Sequence, residues 1–110
     1  RYGFYYTPMD ECLSRSAVDF SGRSELVWDV KLGLKKIGSM DTELFEEFFK
    51  AFSKSSEINL HIKNLYGSNN HHIIESCFKA FARSVRMALE VDKRITKKNT
   101  FFKRNTLKII

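Results

Sequence analysis

The sequence predicts an α+β domain. Two segments, 25–32 and 58–63, alternate apolar and polar residues with the period of a half-buried strand, and two longer ones, 42–54 and 71–90, repeat apolar residues at three-four spacing. The order is strand, strand, helix, strand, helix, an arrangement that packs both helices on one sheet face. At 110 residues, with 43% hydrophobic residues and ten phenylalanines, the composition is that of one globular domain rather than a disordered chain.

Residues 9–20 mix β-branched and aromatic side chains with polar ones and stop at Ser21-Gly22, a turn signal, which predicts the first strand. In 25–32, Leu26, Trp28, Val30 and Leu32 fall on one side and Val27, Asp29 and Lys31 on the other, predicting the second. After Gly33 and Gly38, Asp41 is placed to cap a helix, with Glu43 in a first turn where the helix dipole favours an acid. Leu44, Phe45, Phe48, Phe49 and Phe52 then make an aromatic stripe over 42–54. Ile58, Leu60 and Ile62 alternate with Asn59, His61 and Lys63 as a third strand, and Tyr66 to Asn70 form the loop after it. Ile74, Phe78, Phe81, Val85, Ala88 and Leu89 mark the buried face of a long helix over 71–90, capped by Asn69 or Asn70.

Charge is divided unevenly. Residues 1–92 carry twelve basic and thirteen acidic side chains, a net of −1, while 93–110 carry seven basic and no acidic ones. The basic balance therefore belongs to the tail, which has no stacking-platform motif, so nucleic acid is not expected as a partner. No apolar run approaches a membrane span and no charged-then-apolar leader opens the chain, so the expectation is a cytoplasmic protein with no membrane partner. Cys12 and Cys77 lie far apart without a CxxC spacing and read as reduced packing residues.

All three histidines lie between His61 and His72. His61 is on the polar side of its strand and reads as structural. His71, His72 and Glu75 form H-H-x-x-E at the start of the last helix, where i,i+4 and i,i+3 spacings bring Glu75 within reach of either ring. Adjacent residues differ by about 100° around a helix axis, so the two imidazoles point apart. That is awkward for one mononuclear site and natural for two metal ions or for a site shared with another subunit. Imidazole with carboxylate suits Mn, Fe or Zn more than Ca or Mg. From the residues alone, a solvated histidine pair at a helix start is an equal reading.

A longer pattern bears on that choice. R-Y-G-F at 1–4, P-M-D-E at 8–11, D-F-S-G-R at 19–23, D-T-E-L-F-E-E-F-F at 41–49, I-N-L-H-I-K-N-L-Y-G at 58–67 and N-H-H-I-I-E-S-C-F-K-A-F-A-R at 70–83 follow one another as in imidazoleglycerol-phosphate dehydratases, which the chain resembles over 1–92. The resemblance implies manganese-dependent elimination of water in histidine biosynthesis, giving imidazole-acetol phosphate. It also implies a duplicated two-layer sandwich, each half a four-stranded mixed sheet packed on two helices with its own H-H-x-x-E helix, and 1–92 is similar to the C-terminal half. His71, His72 and Glu75 are then manganese ligands, with Glu75 the catalytic residue of this half and two Mn2+ per active site between subunits of a large homo-oligomer. Arg1 and Arg23 match arginines that hold a phosphate substrate, a task suited to a guanidinium fork. Where many members place a further histidine ligand the sequence has Glu47, a candidate ligand whose bland reading is an exposed helix glutamate.

The departures set further expectations. The first half and its motif are absent from these residues, so the chain alone is expected to be inactive, and Phe48, Phe49, Phe78 and Phe81 are the candidates for apolar surface left uncovered. Where the family ends in a P-S-S-K-G-type segment, residues 97–107 read K-K-N-T-F-F-K-R-N-T-L. With synonymous codon choices, reading N-T-F-F-K-R-N-T one base later gives I-P-S-S-K-G-T, so residues from about Asn99 are read as out-of-frame and the tail as evidence of no partner. Two other classes compete with the enzyme reading: a non-catalytic metal-binding or assembly fragment, and a polyanion binder using the tail.

Overall fold

The computed structural model describes residues 1–33 and 36–90. The chain runs β1 (Tyr2–Met9), β2 (Cys12–Asp19), β3 (Glu25–Asp29), β4 (Lys36–Ile37), β5 (Met40–Asp41), α1 (Glu43–Ser56), β6 (Asn59–Tyr66) and α2 (Asn70–Leu89). Four strands form one sheet in the order β1-β2-β6-β3, and β4 pairs with β5 in a small separate ribbon. β2 runs antiparallel to both β1 and β6 while β3 runs parallel to β6, so the main sheet is mixed. The α+β class is thus as the sequence pattern predicts, and the four-stranded mixed sheet with two helices is as the resemblance implies.

Both helices cover one face of the sheet. The residues of β2 that point to it are Cys12, Ser14, Ser16 and Val18, all buried, joined by Leu60 and Ile62 of β6 and by Gly3 and Thr7 of β1. Over β3, Trp28 stacks on Phe49 of α1 with ring centroids 5.2 Å apart, and Phe49 meets Phe81 of α2 at 5.1 Å. The aromatic stripe of α1 therefore fills the wedge between the sheet and α2. Against β2 the helix comes closer, because the facing residues are small: Ser14 and Ser76 share a buried hydrogen bond of 2.6 Å, and Ser16 and Ser84 one of 2.7 Å. Gly3 belongs to the same contact, since a β-carbon there would run into the carbonyl oxygen of Ser84. The opposite sheet face is open, with Tyr2, Phe4 and Tyr6 of β1 exposed along it.

Several boundaries differ from expectation. The predicted strand over 9–20 is really the second arm of a hairpin whose first arm, β1, the pattern did not reveal; the chain turns at Asp10-Glu11, with Asp10 in the left-handed region at φ 50°. Aromatic and polar residues succeed one another in β1 without a clean alternation because only one of its faces is covered and that face is lined by Gly3 and Thr7. β3 ends at Asp29, although Val30 and Leu32 still pack on the core. Asp41 lies in β5, and the N-cap position of α1 falls to Thr42. β6 continues through Tyr66, where the sequence predicts a loop. Of the four phenylalanines expected to lie uncovered, Phe49 and Phe81 are buried and Phe78 half-buried, leaving Phe48 exposed. Leu44 and Leu89, assigned to buried stripes, are also exposed. Cys12 and Cys77 are both free and buried, as packing residues should be. The tail 93–110, and with it the out-of-frame reading, lies outside the described residues.

Candidate metal centre

The dyad stands where α2 meets the β1–β2 turn. Asn69, in extended backbone conformation, caps the helix by accepting the His72 N–H on its side-chain oxygen at 3.1 Å. His71 and His72 occupy the first turn, their rings nearly perpendicular at 85° and their centroids 6.4 Å apart, the divergence that adjacent helix positions require. His71 is the more open, 71% exposed, and its Nε2 lies 3.5 Å from Glu75 Oε2; Lys79 approaches the other carboxylate oxygen at 3.6 Å.

His72 has a different partner from the one its spacing suggests. Its Nδ1 is 2.7 Å from Oε1 of Glu11, and its Nε2 faces Asp10 Oδ2 at 3.4 Å. The second oxygen of Glu11 accepts the backbone N–H groups of Ser68, at 3.0 Å, and Asn69, at 2.8 Å, and the Cys12 thiol at 3.0 Å. One carboxylate thereby ties the β1–β2 turn to the loop that starts α2. Gly67 makes the loop possible: its φ is 153°, and a β-carbon there would strike the Cys12 sulfur.

The titration behaviour follows from those bonds. The thiol of Cys12, then the Asn69 N–H, His72 and the Ser68 N–H, hold the Glu11 carboxyl well below the usual carboxylate range. The hydrogen bond to Glu11, reinforced by the nearby charges of Glu11, Asp10 and Glu75, raises His72 against the smaller opposing effect of burial. Burial, followed by the hydrogen bond and charge of Glu11, pushes the Cys12 thiol up to about 11. Glu11, Cys12 and His72 offer possible ligand atoms within 4.8 Å of one another. In this state, however, the thiol is a protonated donor and one Glu11 oxygen is already taken by two backbone N–H groups, so the trio works as a hydrogen-bonded brace.

The remaining predicted residues are dispersed. Arg1 donates from Nε to Asp19 at 2.9 Å, with its guanidinium over the Tyr2 ring, and that ion pair raises its pKa further. Arg23 is exposed in the turn after β2. Both arginines sit at the end of the sheet where Tyr2 pairs with Asp19, whereas the dyad sits at the end where Met9 pairs with Cys12. Eight residues of strand separate the two ends, about 25 Å. Glu47 is exposed on the second turn of α1, and none of the described hydrogen bonds or ion pairs joins it to the dyad. His61 bonds Asn59 on the open face at 2.7 Å. Asp10 and Glu11 were the residues missed. Their signal was the P-M-D-E segment of the family pattern, with both acids inside what the sequence predicts as a single strand, which does not say what the acids will face. Among the described residues, no helix is long and apolar enough to cross a membrane.

The family model for imidazoleglycerol-phosphate dehydratase matches residues 1–85. Over 95 residues the chain is 54% identical to the imidazoleglycerol-phosphate dehydratase of Clostridium kluyveri, covering 86% of this chain and 49% of that one. It is 55% identical over 95 residues to that of Cellvibrio japonicus, covering 86% and 48%. The crystal structure of the Staphylococcus aureus dehydratase superposes with a TM-score of 0.82 at 47% identity, over 84% of this chain and 54% of that one. That of the Pyrococcus furiosus protein, in complex with (S)-C348, gives 0.77 at 31% identity over 84% and 52%. The chain spans about half the length of the curated relatives it matches.

Proposed function

The chain belongs to the imidazoleglycerol-phosphate dehydratase family, and on that premise we propose that it supplies one half of a manganese-dependent dehydratase of histidine biosynthesis, which eliminates water from imidazoleglycerol phosphate to give imidazole-acetol phosphate. The observation that carries this reading is the diverging dyad, with each imidazole beside a different carboxylate at the surface of one helix start. Borderline imidazole nitrogens combined with hard carboxylate oxygens fit Mn2+, and the absence of an accessible thiolate fits it better than a structural zinc cage. His71, His72 and Glu75 would hold the metal, with Glu47 a further candidate. Bound there, manganese would supply Lewis-acid polarisation and positive charge.

The protein groups have separate tasks. Glu75, open on one side and steadied by Lys79 on the other, is the carboxylate of this half that can hold a proton or a ligand bond beside His71. Asp19 orients the Arg1 guanidinium through Nε, which leaves the terminal nitrogens to grip phosphate with Arg23. No small phosphate ester reaches from those arginines to the dyad of the same chain. The active site is therefore composite, drawing ligands and phosphate grip from different copies or from a second half, and it calls for a large homo-oligomer with metals between subunits. In the 110 residues given there is one H-H-x-x-E motif, which favours a metal-binding or assembly role for this chain when isolated. Elimination depends on a full set of positioned groups, and losing one commonly costs orders of magnitude in rate.

The decisive assay is manganese-dependent formation of imidazole-acetol phosphate. In a complete dehydratase carrying this half, His71→Gln and His72→Gln should each abolish turnover, and the 110-residue chain alone should show none. Retained activity in both variants overturns the ligand assignment; turnover by the chain alone overturns the composite site.

A further inference from the structure

His71 and His72 are adjacent in sequence and unequal in structure. The ring of His71 is 71% exposed and its polar neighbour, Glu75, lies at 3.5 Å. The ring of His72 is 29% exposed and is bonded at 2.7 Å to a carboxylate that is itself immobilised. Glu11 cannot swing away, because its Oε2 carries two backbone N–H bonds and the Cys12 thiol.

We propose that Glu11 is a positioning residue for His72, accepting a hydrogen bond from Nδ1–H and fixing the ring so that Nε2 is its metal-donor atom. An ionised carboxylate can only accept, so the nitrogen that meets it must carry hydrogen. A neutral imidazole with its proton on Nδ1 has its lone pair on Nε2. The bond made by one ring nitrogen decides the tautomer and basicity available at the other. The brace also connects the ring to the β1–β2 turn, so the register of that hairpin sets where Nε2 stands, beside Asp10. Of the two histidines, His72 is thus the preorganised ligand, and His71 has its pose completed by whatever binds. The inference rests on the reading of His72 as a ligand, but its first consequence, the tautomer, can be measured without metal.

Glu11→Gln separates the positioning role from the bracing one. The position now held by Oε2 faces two N–H donors, which only the amide oxygen can satisfy. The amide nitrogen, a pure donor, then faces His72 Nδ1 and forces the proton to Nε2. The experiment uses the full 110-residue chain labelled with nitrogen-15 at histidine, metal-free, at a pH well above the histidine range, with His72 assigned by the signals lost in His72→Gln. The wild type should show the Nδ1–H tautomer at His72, and folded Glu11→Gln should show the Nε2–H tautomer. A predominantly Nε2–H wild type overturns the proposal, as does an unchanged tautomer in the folded variant; should the variant fail to fold, the wild-type shifts alone decide. Adding Mn2+ tests the underlying reading separately. Paramagnetic broadening around the start of α2 should be lost in His72→Gln, and equal broadening in both chains removes the ligand assignment while leaving the tautomer result standing.

Discussion

From Ser76 to Ala88, α2 lies against β1 and β2 through side chains of one or two heavy atoms, whereas its first turn is tied to the β1–β2 turn by a surface carboxylate. The first contact sets the distance between helix and sheet by steric fit. Its hydrogen bonds join neutral hydroxyls. The second contact sets the direction of an imidazole by charge. Close packing can place a backbone but cannot choose which nitrogen of a ring carries a proton; an ionised acceptor can. A helix that must present a ligand therefore gains from being fixed in both ways, and the polar end acquires a dependence on pH that the packed end lacks.

The largest effect should come from the packed region. Phe81 is buried against Phe49 and Phe52, so Phe81→Ala should cost about 3–5 kcal/mol in denaturant unfolding, with the same cost at mildly acidic and neutral pH. A cost that changed with pH would break the distinction between the two regions. Next comes the close approach itself. Gly3→Ala must push β1 and α2 apart, a strain of about 1–3 kcal/mol, and it should do so without altering the His72 tautomer if the two ends act independently. The smallest effect belongs to the charged end, where partners are open to water. Because the Glu11 carboxyl is held below its ordinary range, its contribution is present above the ordinary carboxylate pKa and is lost as pH falls through the folded value. Because His72 is raised, its contribution is present below the ordinary imidazole pKa and is lost as pH rises through the folded value. The difference in melting temperature between wild type and Glu11→Gln should therefore peak between about pH 4.5 and about pH 6.5 and narrow on both sides. A difference constant across that range would show that the brace acts without its charges.

How much could be read beforehand differed from element to element. The alternation in 25–32 and the three-four stripes of both helices report which face of a single element is covered, and those faces are covered except at Leu44, Phe48 and Leu89. β1 escaped because the buried residues of its covered side are Gly3 and Thr7, neither of them a large apolar side chain that would mark a hydrophobic period. The exposure of Phe48 was equally invisible, since it lies in the same three-four stripe as the buried Phe45 and Phe49.

By itself, the sequence determined the α+β class, the placing of H-H-x-x-E on a helix start, the divergence of its two rings and the family, because each is a property of local spacing or of motif order. The tertiary structure alone decided that His72 answers to Glu11, sixty-one residues away, and that Arg1 and Arg23 lie at the far end of the sheet from the dyad. Both depend on strand register, where a slip of one residue turns every side chain to the other face. Periodicity within an element does not record its register against a neighbour; the packing of α2 across β1 and β2 does.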